Sequence, residues 1–181
     1  MKSNLIFIAL LILLCINVYA AEKVPDFILE DINGDQVKFS ALLGKVPIIL
    51  DFWATWCKPC MKELPSLDNL QTKYDTLITA VCISIDGPRS IARARGIIKS
   101  QKFSFLTLFD PNSEVQKLFN VTVIPRTFIV NKDGKIVYDH TGYKRGDEKH
   151  LEEMLLNLLH SKDEKTEKDK KNYGIDKGGK E

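Results

Sequence analysis

Four cysteines and three histidines are the only thiol and imidazole ligands in 181 residues, and their placement does not suit a structural metal site. Zinc usually takes four ligands, often a second Cys pair or a His pair at short spacing. Here His140, His150 and His160 are scattered, and Cys15 and Cys82 each stand apart. Charge of one sign is also missing. Twenty-six Lys and Arg against 24 Asp and Glu leave a net +2, without the basic stripe of a nucleic-acid binder. No apolar run reaches the roughly 20 residues that cross a bilayer comfortably. The length suits one domain with a proper core and is short for two.

One apolar run does stand out at the start. Lys2 precedes Leu5 through Ile16, and Val18-Tyr19-Ala20 puts small residues at the −3 and −1 positions before Ala21. That pattern describes a secretory signal, residues 1–20, cleaved after Ala20, with an uncleaved anchor as the alternative. Leu13 and Leu14 precede Cys15, where a lipid-attachment site would carry small residues. Export matters for the other cysteines, because outside the cytoplasm thiols drift toward disulfides unless electrons are supplied.

The chemistry-bearing segment is Trp56-Cys57-Lys58-Pro59-Cys60, entered from the apolar run Ile48-Ile49-Leu50-Asp51-Phe52-Trp53. In a first helical turn, residues three apart share a face, so the two sulfurs can cycle between dithiol and disulfide. So short a loop removes little entropy from the unfolded chain, and redox work suits it better than structural work. Cys57 lies where the helix start favours its thiolate and is the expected attacking sulfur. Pro59 fits the first turn, where its missing N–H costs nothing. Cys60, one turn deeper, is the expected resolver. Lys58 between them would favour the Cys57 thiolate modestly.

Along the chain, Phe27-Ile28-Leu29 and Val37-Lys38-Phe39 flank an Asn33-Gly34 turn, and Ser40 to Gly44 reads as a helical turn with a serine cap. A strand ends near Trp53. A helix follows over about residues 59–74, with Pro65 expected to kink it. The run around Val81 reads as a central strand with Cys82 buried in it, and Asp86-Gly87-Pro88 opens a helix over residues 89–100. A strand over 105–109, a short helix capped near Asp110 and ending near Phe119, and a hairpin turned at Asp133-Gly134 come next. The last helix covers residues 147–159. This is an α/β domain over residues 21–160 with a mixed sheet. From Ser161 to the end, residues 161–181, the charged composition reads as a disordered tail.

Residues 51–60, with Pro65 beyond them, resemble the active-site segment of the thioredoxin superfamily. The leading hairpin, the Asp86 loop with its insert helix, and Glu63 three residues past Cys60 resemble the exported TlpA/ResA/CcmG-like thiol-disulfide oxidoreductases. The likeness spans about residues 24–159 and implies a thioredoxin-like fold: a mixed central sheet flanked by helices, with an N-terminal β-hairpin. It further implies a cis Pro125 facing the disulfide, with substrate contacts at Trp56, Pro59, Ile124 and Pro125. Asp51 matches the buried aspartate that takes the resolving cysteine's proton, and desolvation should raise its pKa. Glu63 matches an acidic residue held to modulate cysteine ionisation. Arg126 stands where Thr is commoner.

The expected activity is a reductant of disulfides in exported proteins, such as those of cytochrome c maturation. It would act at the periplasmic or extracytoplasmic face as a monomer, without cofactor or metal, fed by a membrane thiol donor. An oxidant or isomerase using the same site is the near alternative, since tens of millivolts decide direction. A copper-chaperone-like binder is the other, although such proteins space their cysteines by three residues. A peroxiredoxin would carry threonine at position 54, where this chain has alanine.

Overall fold

Six consecutive residues without a chain-breaking Gly or Pro form β3 (Ile48–Trp53), and every one is buried. Near-continuous apolar character of this kind belongs to a strand covered on both faces. The computed structural model describes residues 23–173, so residues 1–22, which include the expected signal segment, and residues 174–181 lie outside the described residues. Around β3 the sheet has seven strands in the order β2-β1-β5-β4-β3-β6-β7. They are β1 (Ile28–Asp31), β2 (Gln36–Lys38), β4 (Thr79–Ser84), β5 (Leu106–Phe109), β6 (Arg126–Val130) and β7 (Ile136–Thr141). Pairing is parallel from β3 to β4 to β5 and antiparallel elsewhere. The expected mixed α/β sheet of thioredoxin type is therefore present.

The N-terminal hairpin forms as expected, with Gly34 at φ +92°, a value few other residues adopt cheaply. Asp31 completes the turn by accepting from the backbone N–H of Asn33 and of Asp35. The next turn differs from expectation. A 3₁₀ turn covers Phe39–Ala41 without a side-chain cap of its own. Asp26, from before the hairpin, accepts from Ser40 N–H at 2.9 Å, so a residue distant in sequence does the work expected of Ser40.

Helix α1 (Lys58–Lys73) is continuous through Pro65. Helix α2 (Ile91–Gln101) is the crossover between the parallel strands β4 and β5, α3 (Glu114–Leu118) follows β5, and α4 begins at Asp147. Asp110 holds the start of α3, accepting from Glu114 N–H and Gln116 N–H. Two cores sandwich the sheet. On one face Ile49, Trp53, Cys82 and Ile129 meet Leu64 and Leu67 of α1, Ala94 and Ile98 of α2, and Leu151 and Leu155 of α4. On the other, Leu50, Phe52 and Ile83 meet Phe27, Phe39 and Val115.

Helix α4 spans Asp147–Tyr173, past residue 161 where composition reads as an unstructured tail. Low hydrophobicity prevents burial, but it does not prevent a local helix. Lys and Glu are good helix formers, and neither Gly nor Pro interrupts the run before Gly174.

The connection into the redox segment is anchored by a buried carboxylate. Asp86 accepts from Thr55 N–H at 2.8 Å, Thr55 Oγ1 at 2.7 Å and Ser84 Oγ at 3.1 Å. Asp86→Ala would leave these donors unpaired in a dry site, at a cost of about 3 kcal/mol. Urea unfolding of the variant checks this; a loss under about 0.5 kcal/mol, the range of ordinary surface changes, would show that the loop does not depend on Asp86.

Candidate active site

Local geometry puts both sulfurs at one helix end. Cys57 is the N-cap of α1 with extended backbone, and its Sγ accepts from Cys60 N–H at 3.2 Å. Cys57 and Cys60 form a disulfide with Cα atoms 5.3 Å apart. Cys57 keeps 5% exposure and Cys60 none, which makes Cys57 the sulfur a substrate can reach first. The amide that now meets Cys57 Sγ is equally placed to stabilise a thiolate there, together with the helix dipole.

Exposed side chains flank the disulfide and the segment before Pro125. Trp56 is 64% exposed and Val123 57%, while Lys58 and Pro59 face solvent. The Ile124–Pro125 bond is cis, as the resemblance implied. The Pro125 carbonyl already accepts from Gly142 N–H at 2.8 Å. Any backbone pairing with a substrate strand therefore belongs to the residues before Pro125. Arg126 turns its charge to β7, where Asp139 pairs with its guanidinium at 2.5 Å and Thr141 accepts a hydrogen bond from it.

The strand and helix that flank the disulfide carry a carboxyl pair. Asp51 of β3 is 1% exposed and Glu63 of α1 is 4% exposed, so both are buried. Thr127 of β6 joins them, its Oγ1 standing 3.1 Å from Asp51 Oδ1 and 2.9 Å from Glu63 Oε1. A hydroxyl has one proton to give. With both contacts made, one carboxyl must itself be the donor, so the triad is a carboxylic acid, a hydroxyl and a carboxylate in a row. Desolvation raises Asp51 to about 7 against the Thr127 hydrogen bond, which favours its charged form. Desolvation and then the Asp51 charge raise Glu63 to about 9. Mutual repulsion falls on whichever ionises second, and the two titrate as a unit. Asp51 Oδ2 and Glu63 Oε2 are buried with no partner among the described residues.

Cys82 is a buried free thiol opposite Asp51 in the β3–β4 register. Its pKa is pushed well up, by burial first and then by Asp51 and Glu63, so it packs as a small apolar group. His140, the residue a copper-binding reading would use, stands on β7 with its Nε2 3.4 Å from Asp147 Oδ2.

The structure thus brings Asp51, Glu63, Cys57 and Cys60 to the junction of β3 and α1. Three side chains escape the sequence reading. Thr127 depends on the β3–β6 register, which places it opposite Asp51; the only local signal is its place two residues after Pro125. The Thr55 and Ser84 hydroxyls depend on Asp86 folding back between them.

Comparison with known proteins agrees with this geometry. The Redoxin family model matches residues 19–155. Thiol-disulfide oxidoreductase ResA of Geobacillus kaustophilus is 30% identical over 139 residues, covering 72% of this chain and 75% of its own. The same-named protein of Bacillus subtilis is 35% identical over 118 residues, 65% of each chain. Among solved structures, a Chlorobium tepidum protein assigned as thiol:disulfide interchange protein DsbE superposes with a TM-score of 0.70 at 31% identity. That match covers 77% of this chain and 96% of the other.

Proposed function

The chain belongs to the redoxin family and is a thiol-disulfide oxidoreductase; we propose that it runs as a reductant of disulfides in exported proteins. The observation that supports it is a buried acid pair on β3 and α1, the two elements that flank the disulfide, as a proton acceptor for a fully buried Cys60. A reductant must deprotonate its second thiol while a substrate covers the first, and an internal base does that without solvent.

In the forward direction the Cys57 thiolate attacks a substrate disulfide, and one substrate sulfur leaves as thiolate. Asp51, with its free Oδ2, takes the Cys60 proton. The Cys60 thiolate then attacks Cys57 Sγ, forming the observed Cys57–Cys60 disulfide and releasing the second substrate sulfur. Two electrons pass from the protein to the substrate. A membrane-held dithiol donor restores the pair. Glu63 holds the proton that sets the charge on Asp51, and Trp56, Pro59, Ile124 and Pro125 form the apolar platform on which the substrate chain lies. The segment 1–20 serves as the export signal, and the chain works outside the cytoplasm as a monomer. Proteins of cytochrome c maturation are the substrate class implied by the resemblance of residues 51–60 and Glu63 to TlpA/ResA/CcmG-like proteins.

Equilibration of the Cys57/Cys60 pair with glutathione or dithiothreitol buffers tests direction. A reductant requires a potential well below the roughly −180 to −210 mV of an oxidising secretory compartment. A value near about −120 mV, that of a strong periplasmic oxidant, would make it an oxidant.

A further inference from the structure

The register aligns five side chains on one face of the sheet. Thr107, Cys82, Asp51, Thr127 and His140 are successive cross-strand partners on β5, β4, β3, β6 and β7, and such partners have Cβ atoms about 5 Å apart. The row is buried at its centre and reaches solvent at His140, whose side chain is 35% exposed. Above its outer end lies a cavity of about 10 Å³, lined by Glu63, Thr127, Tyr138, His140, Tyr143 and Asp147. That is room for about one water, in a setting with the several polar partners a buried water needs. Glu63 lines this cavity, and its Oε2 is buried without a partner among the described residues.

We propose that His140 is the outer end of a proton path joining the Asp51–Glu63 pair to solvent, opening between β7 and α4 and not through the disulfide face. The path rests on the reading of Asp51 as the acceptor of the Cys60 proton. Its need follows from geometry: in the mixed disulfide the substrate covers Cys57, and Cys60 is fully buried. Protons balance without electron transfer. Glu63, the protonated member of the pair, first releases its proton through the cavity to His140; Thr127 then passes its own to Glu63 and takes one from Asp51, which has gained the Cys60 proton. Imidazole can accept at one nitrogen and release from the other.

The groups facing His140 suit a relay. Asp147 of α4 stands 3.4 Å from its Nε2, and Tyr138 on its own strand stacks on it with ring centroids 6.1 Å apart. Glu63 of α1 and Thr127 of β6 close the inner side. Tyr143 closes another, its hydroxyl donating to Glu148 of α4 at 3.0 Å and lying 3.2 Å from Ser66 Oγ of α1. His150 meets Tyr138 edge-on.

The test is single-turnover reduction of a disulfide peptide by the full chain in dilute buffer from roughly pH 6 to 9, with attack and resolution timed separately. His140→Gln should slow resolution about tenfold, within the range of proton-transfer effects, while attack by Cys57 and the reduction potential stay as in the parent. Added imidazole should restore the rate. Unchanged resolution, or a loss that imidazole does not repair, overturns the path. Tyr143→Phe, a milder change in the same wall, should slow resolution about threefold with the same rescue, and supplies the test if His140→Gln does not fold. Glu63→Gln separates the two readings. If it slows resolution and His140→Gln does not, only the path falls; if neither does, the acid pair falls as well.

Discussion

Cys60→Ala should accumulate as a covalent adduct with its substrate, joined through Cys57, and turnover should fall by about a thousandfold or more, equivalent to at least about 4 kcal/mol of barrier. The variant retains the first step, since the Cys57 sulfur keeps its place at the helix N-cap and still receives the N–H of residue 60. It lacks the thiol that would attack the mixed disulfide. Cys57→Ala should form no adduct, because the remaining sulfur is fully buried. Mass spectrometry of unreduced samples reads both outcomes directly, and an adduct on Cys57→Ala equal to that on Cys60→Ala would reverse or dissolve the two roles. Loss of fold is not an alternative cause. A disulfide closing so short a loop constrains the unfolded chain little, and one sulfur atom removed from the core costs on the order of 1 kcal/mol.

What the sequence discloses of this site follows from how local each part is. The redox pair was legible because its geometry is written within one turn of helix: a cap at Cys57, a proline two residues on, and a partner three residues away. Burial of Asp51 was legible because its neighbours in β3 are apolar on both sides. The bond between Asp51 and Glu63 was not, since it runs through Thr127, and only the antiparallel β3–β6 register places that hydroxyl between them. Glu63 on its own reads equally well as a solvated helix residue; its burial comes from α4 packing beside α1. The same holds for Asp26 capping the turn at Ser40 and for Asp86 clasping Thr55. Each is a short polar contact between segments that the chain brings together only after the sheet has formed. The extension of α4 past residue 161 escapes composition for a different reason: composition reports what can be buried, and a helix needs only local propensity.

The acid pair makes the second large effect a matter of pH. Burial raises both carboxyls above their ordinary values of 3.8 and 4.5, Asp51 to about 7 and Glu63 to about 9, and the pair loses its protons as a unit. Between about pH 5 and 7 the native state therefore binds up to two more protons than the unfolded chain, and between about 7 and 9 one more. Because the unfolded state binds fewer protons, stability must fall as pH rises across this window, by about 1.4 kcal/mol per pH unit for each excess proton. The stabilising state is the protonated one, the reverse of a salt-bridged carboxylate. Glu63→Gln carries a neutral amide at every pH and should remove the decline above about pH 7 and halve it below, while Asp51→Asn should halve it below and, by removing the Asp51 charge that raises Glu63, end it at a lower pH. Urea unfolding at a series of pH values checks the slopes, and curves parallel to the parent would remove the pair from the stability of the fold. Activity has the opposite dependence. The carboxylate form of Asp51 accepts the Cys60 proton, so resolution should speed up as pH rises through about 7, and Asp51→Asn should lose that inflection with about 10² to 10⁴ of the rate. The charge that makes the site work is thus the charge that strains the fold, and the Thr127 bridge holds one proton between two carboxylates so that only one of them bears it near neutrality.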